Sequence, residues 1–190
     1  MTESKKQLRQ HIRRSIGQLS PEDIHLQSQA IWGLLEQEQA FLWATNIGLY
    51  WSMDSEVSTH SFIDKWSKDK NIHLPVIQGN NITFTPYYGK ENMSQNQYGI
   101  LEPSLNNQPS STLDLIIVPA MGYDASGHRL GHGGGYYDRY FSLRQQTSSL
   151  PKNILGVCFS CQLLEQVPSE EFDFDVETII TPSHIIHTRP

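Results

Sequence analysis

The ten residues Arg129-Leu130-Gly131-His132-Gly133-Gly134-Gly135-Tyr136-Tyr137-Asp138 hold more chemical potential than any other stretch of this chain. Glycines lack a Cβ, so backbone N–H groups can close on an anion. A helix expected to open near Tyr137 adds the positive end of its dipole. Arg129 and His132 are potential phosphate donors. Asp138 is a hard oxygen ligand suited to Mg²⁺, and Tyr136 and Tyr137 bring aromatic faces and hydroxyls. Two common nucleotide fingerprints are excluded. No Gly-Lys-Ser/Thr closes the run, and counting Gly-x-Gly-x-x-Gly from Gly131 lands on Tyr136. On the glycines alone, a structural turn is an equal reading.

Other residue groups are weaker. Lys5 and Arg9 are four apart and share a helix face, with Arg13 on the same row. Alone, such a row reads as a solvated stripe or a weak RNA-binding patch. The formal charge of −6 argues against a nucleic-acid partner. Cys158-Phe159-Ser160-Cys161 has C-x-x-C spacing, but no second pair completes a zinc site, and Cys158 falls in an apolar run. No His-Glu-x-x-His pattern occurs, and His184 and His187 are expected at the surface.

The elements that must position these residues follow from periodicity. Leu8, Ile12 and Ile16 predict an amphipathic helix over 4–17, with Gly17 as its C-cap. Ser20-Pro21-Glu22-Asp23 starts a second helix, running to about Gln39. Strands are expected at 46–51, 72–77 and 82–88, the last two joined by Gly79-Asn80-Asn81, and a helix at 58–70. Residues 89–112 read as a long polar connection around Tyr98, which is placed at the pocket. Leu115-Ile116-Ile117-Val118 fits a strand buried on both faces. A turn at 124–127, a helix at 137–146 and strands at 154–159 and 178–181 complete an α/β sandwich of one domain over 1–190. No apolar run spans a membrane and the polar N-terminus lacks a signal-peptide core, so a cytoplasmic protein is expected.

Five ordered segments together resemble the 5-formyltetrahydrofolate cyclo-ligase family, also called 5,10-methenyltetrahydrofolate synthetase. They are Lys5-Lys6-Gln7-Leu8-Arg9; Tyr50-Trp51-Ser52-Met53 with Glu56; Leu115–Pro119 with Gly122-Tyr123-Asp124; the glycine loop through Asp138; and Phe172-Asp173 with Val176-Glu177 and Thr181-Pro182. The resemblance implies a three-layer, Rossmann-like sandwich of the NagB/RpiA/CoA-transferase type, with a mostly parallel central sheet and helices on both faces. It implies ATP-dependent closure of 5-formyltetrahydrofolate to 5,10-methenyltetrahydrofolate, with release of ADP and phosphate. Lys5, Lys6, Arg9 and Arg129 to Tyr137 (Leu130, Gly131, His132, Gly133, Gly134, Gly135 and Tyr136 between them) match the ATP side. Trp51, Glu56 and His132 to Tyr136 match the folate side.

Tyr136 and Arg129 are the implied catalytic residues, and Tyr137 is able to exchange roles with Tyr136. Asp138 and Glu177 match the Mg²⁺ ligands. Glu177 stands where many members carry Asp, with Asp173 and Asp175 as neighbouring alternatives; Asp175 reads better as a solvated turn. Gly134 stands where some members carry Lys. The expected partners are the two small substrates, with no nucleic acid or membrane, and the chain is expected to be a monomer. The rivals are a sugar-phosphate isomerase or CoA-transferase-like enzyme on a related fold, and a non-catalytic folate- or nucleotide-binding protein.

Overall fold

Leu8, Ile12 and Ile16 bury one face of helix α1 (Lys5–Ile16). Ser4 caps that helix, its side chain accepting from the Gln7 N–H while Gln7 reaches back. The computed structural model describes residues 3–96, 99–104 and 112–188. Tyr98 therefore lies outside the described residues. Helices α2 (Pro21–Leu35), α3 (Gln39–Trp43), α4 (His60–Trp66) and α5 (Tyr136–Gln146) alternate with strands. The strands are β1 (Asn46–Gly48), β2 (Asn71–Gln78), β3 (Asn81–Pro86), β4 (Met93–Gln95), β5 (Leu101–Pro103), β6 (Leu115–Val118), β7 (Gly122–Asp124), β8 (Arg129–Leu130), β9 (Asn153–Val157), β10 (Leu163–Leu164), β11 (Thr178–Ile180) and β12 (Ile185–His187).

Among the described residues, seven strands form the main sheet in the order β12-β11-β9-β6-β1-β2-β3. The five inner strands are parallel and the two edges antiparallel. Every residue of β6 is buried. Leu115 and Ile117 meet α2, α3 and α4 through Ile31, Phe41 and Phe62. Ile116 and Val118 meet α5 through Tyr140 and Phe141 on the opposite face. Each such side chain stabilises the fold by about 1.5–3 kcal/mol. A smaller sheet, β10-β7-β8, packs its Met121, Leu130 and Val167 neighbourhood under α1. That packing brings the basic row of α1 to the glycine loop. No helix among the described residues is long and apolar enough to cross a membrane.

Some elements differ from their sequence reading. β1 stops at Gly48, because the chain leaves the sheet there toward the cavity described below. The second helix ends at Leu35, and four residues later the short α3 begins at Gln39. The helix expected over 58–70 is confined to His60–Trp66. The 89–112 connection contains the antiparallel pair β4–β5. Gly17 caps α1 in right-handed geometry, its N–H bonded to Arg13.

Candidate active site

A cavity of about 1250 Å³ lies beyond the C-terminal ends of β1 and β6, where Tyr50, Trp51 and Pro119 line it. From β1 the chain crosses to β2 on one side, and from β6 to β9 on the other. This reversal of winding opens a crevice between the two strands, the usual ligand position in such sheets. The volume exceeds the roughly 300–1,000 Å³ of a site for one small ligand.

The glycine loop forms the cavity's centre. Gly133 and Gly135 have φ of +109° and +65°, and Gly135 is the residue that starts α5. A side chain at either would be strained. Gly134 has ordinary φ, but a Cβ there would come within 2.9 Å of the Tyr136 ring. A lysine at this position would require that ring to move.

Three cations from two elements, α1 and β8, stand around the loop. Arg9 donates from Nε to the Gly131 carbonyl at 2.7 Å. Lys5 pairs with Asp173 at 2.5 Å and with Glu170 at 3.4 Å. Arg129 is buried, pairs with Asp138 at 2.5 Å, and lies 5.6 Å from the Tyr137 ring centre. Its Nε is buried without a partner. Burying a guanidinium next to one carboxylate in a loop holds it in a fixed direction. Each ion pair here is between side chains, so an entering anion or metal can exchange with it.

The opposite wall is aromatic and acidic. Trp51 stacks on His60 at 4.2 Å between ring centres. Burial pushes the His60 pKa down, which favours the neutral ring, whose Nε2–H donates to the Ser52 carbonyl. Glu56 is buried, accepts from the Met53 N–H at 2.9 Å, and faces His132 at 3.3 Å. The Tyr137 hydroxyl is buried without a partner, and burial, then the Glu56 charge, raise its pKa far above the ordinary tyrosine value. It is therefore a neutral donor at any working pH. Tyr136 lines the cavity one residue earlier.

Lys5, Arg9, Trp51, Glu56, Arg129, Gly131 to Gly135 (His132 included), Tyr136, Tyr137 and Asp138 all line this one cavity. Three expected residues do not. Lys6 is exposed and turns off the Lys5–Arg9 face. Leu130 is fully buried under α1 and reaches the loop only as backbone. Glu177 precedes β11 at the N-terminal end of the sheet, where its carboxylate accepts from the Ile154 N–H at 3.2 Å. The expectation that Glu177 joins Asp138 is corrected by that position: from the C-terminal segment, Glu170 and Asp173 line the cavity and Glu177 does not. Asp175 is also not a solvated turn, since its Oδ1 is buried without a partner.

The sequence reading passed over Arg139, Glu102 and Phe172, which line the cavity too. Arg139, one turn beyond Gly135, had a positional signal; Glu102 sits in the stretch read as a loop and had none. The Cys158 thiol is buried, and burial pushes it up to about 12, so it is an inert core group. No cluster of three or more potential metal-ligating side chains occurs among the described residues.

The chain is 36% identical over 189 residues to a 5-formyltetrahydrofolate cyclo-ligase of Haemophilus influenzae, covering 92% of this chain and 97% of the relative. It is 34% identical to the Escherichia coli protein of the same name, over 75% and 80% of the two chains. The solved 5,10-methenyltetrahydrofolate synthetase of Aquifex aeolicus superposes with a TM-score of 0.84 at 26% identity, covering 98% of this chain and 93% of that one. Residues 1–182 match the family model itself, and the chain belongs to the 5-formyltetrahydrofolate cyclo-ligase family.

Proposed function

We propose that this protein converts 5-formyltetrahydrofolate to 5,10-methenyltetrahydrofolate while ATP becomes ADP and phosphate. One observation carries the reading. A glycine loop at the start of α5, met by Lys5, Arg9 and Arg129, shares its cavity with the Trp51–Glu56 wall. A polyphosphate and a flat heterocycle with N–H donors both find complementary surfaces within reach of one another.

An amide-like formyl oxygen is a poor leaving group. Transfer of the γ-phosphoryl group to that oxygen gives an iminium phosphate; N10 then attacks the formyl carbon and phosphate departs with the oxygen. Alignment and charge stabilisation are the enzyme's task. Lys5, Arg9 and the loop N–H groups hold the phosphates. Arg129, aimed by Asp138, meets the charge on the transferring group. Tyr136 donates its hydroxyl to the formyl or phosphoryl oxygen. Glu56 accepts from the pterin edge, and Trp51 flanks its face.

Mg²⁺ fits this donor set. Asp138 and Asp173 are hard carboxylate ligands lining the same cavity, each held by an exchangeable cation, and Mg²⁺ is commonly bound by one or two carboxylates plus phosphate oxygens. When bound, the ion neutralises charge on the phosphoryl oxygens. The same reading takes 1–190 as one Rossmann-like domain of the NagB/RpiA/CoA-transferase type, supported by the parallel inner strands with helices on both faces. It describes a cytoplasmic monomer acting on small molecules, without nucleic-acid or membrane partners.

The test is direct. Protein, 5-formyltetrahydrofolate, ATP and Mg²⁺ should give ATP-dependent methenyl absorbance. No signal sinks the reading, and tight folate binding without turnover replaces it with a binding protein. With activity established, Tyr136→Phe should lower kcat about tenfold or more in a folded protein. An unchanged kcat removes the hydroxyl from the chemistry.

A further inference from the structure

Arg9 and Arg139 both line the cavity without a carboxylate partner among the described residues, and of the two Arg139 is fixed through two nitrogens rather than one. Lys5 and Arg129 face carboxylates, and Arg9 turns onto Gly131. Among the described residues, no carboxylate lies within ion-pairing distance of Arg139, although the chain is acidic overall. The guanidinium is nonetheless fixed. Nε donates to the Asn80 carbonyl at 2.7 Å and Nη2 to the Gly134 carbonyl at 2.8 Å. It lies 5.1 Å from the Tyr136 ring centre. Holding a long, exposed side chain in one geometry costs rotamer entropy. Nη1, meanwhile, keeps its N–H groups without an acceptor among the described residues. A fixed, charged donor without a counter-charge is prepared for an anion.

The surroundings narrow the kind of anion. Ile77 of β2, Ile82 of β3 and Leu143, one turn further along α5, give the cavity an apolar stretch, with Asn81, Ser142 and Gln146 among its polar neighbours. Leu143 is 58% exposed there. Triphosphate oxygens need several cations at once, and Lys5, Arg9 and Arg129 line the cavity to supply them. One arginine sharing a cavity with an apolar stretch suits a single carboxylate carried on an apolar body. We infer that Arg139 binds a carboxylate of the folate's glutamate tail, with Ile77, Ile82 and Leu143 flanking the aromatic linker that joins the tail to the pterin.

This assignment rests on the folate reading above and fixes the direction in which that substrate lies. Glu102, which also lines the cavity, turns its Oε2 to the Ile77 N–H and the Asn96 amide. Arg139 is a specificity and positioning residue, anchoring the end of the substrate remote from the reacting atoms.

Calorimetry on the full chain separates the possibilities. Dissociation constants are measured for 5-formyltetrahydrofolate, for 5-formyltetrahydropteroate, which lacks the glutamate, and for ADP. Arg139→Gln should weaken the glutamyl ligand about tenfold or more. The glutamate-free ligand and ADP should change less than about twofold, within the ordinary effect of a surface substitution. Arg139→Lys, a point charge without the planar fork, should recover part of the loss. Thermal melts check that both variants fold.

Equal weakening of both folates would make Arg139 a support for the loop and overturn the inference. So would weakening of ADP alone, which assigns the anion to the nucleotide, or no change at all. A wild type that binds neither folate overturns both this inference and the reading beneath it. A wild type that shows the glutamyl preference but does not turn over sinks only the reading.

Discussion

The two ends of the parallel sheet use the same residue types for different ends. At the cavity, Asp138 and Asp173 take side-chain cations, Arg129 and Lys5. At the opposite end, Asp114 accepts from the N–H groups of Thr45 and Asn46 at 3.1 and 2.9 Å, and Glu177 from that of Ile154. A carboxylate spent on backbone N–H groups fixes where a strand begins and cannot leave without exposing them. One that faces a side-chain cation can change partners when phosphate or metal arrives. Asp173 also accepts from the Glu170 N–H and Asp114 also pairs with Lys152, so the contrast is sharpest between Asp138 and Glu177.

Substitutions break or sharpen this contrast, the largest effect first. Asp138→Asn should lower turnover about 10²–10³-fold, the scale of losing an aligned charge group in an active site. The melting temperature should move little, and a near-normal rate in the methenyl absorbance assay would erase the contrast. Lys5→Ala should raise the KM for ATP about tenfold, the cost of one charge-assisted contact, with folate affinity nearly intact. Equal loss of folate affinity would show that the two substrates are not divided as argued.

Asp114→Asn should leave kcat unchanged but cost about 1–2 kcal/mol in urea unfolding. Its hydrogen bond from Lys152, together with the backbone donors, holds the Asp114 carboxyl at about 2 against 3.8 unfolded. The stabilisation is therefore fully present above about pH 4 and is lost as pH falls toward 2. The variant should flatten this acid limb; an identical pH profile would separate Asp114 from it. The smallest effect is expected for Glu177→Gln, with turnover and Mg²⁺ dependence within about twofold of wild type, since its carboxylate lies away from the phosphates and cannot share their charge. A large loss of Mg²⁺ response would return Glu177 to the metal site.

The difference between Asp173 and Glu177 shows where reading the sequence stops. They are four residues apart, about 13 Å of extended chain, enough to carry one to the cavity and the other past it. Motif spacing counts residues and does not see that distance. The same limit explains β4 and β5. Met93-Ser94-Gln95 and Leu101-Glu102-Pro103 are too short and too polar to show alternation, and they become strands only by pairing with each other. The α3 turn is likewise too short for a periodic signal. Arg139 passed unnoticed because its partners are carbonyls, which leave no trace in side-chain identity.

The sequence by itself determined what is local. The Lys5–Arg9 row follows from helical geometry over four residues. The loop's backbone freedom follows from its glycines before a helix, and the buried β6 from an unbroken apolar run. The family resemblance rests on these same short segments. Tertiary structure decided what meets what: which lysine of the Lys5-Lys6 pair lines the cavity, which acids share it with Asp138, and which arginines there have no carboxylate partner among the described residues. Those answers depend on the packing of α1 over β8 and of α5 on β3, contacts between residues far apart in the chain. Periodicity tells which face a side chain occupies. Only the packed fold sets what that face touches.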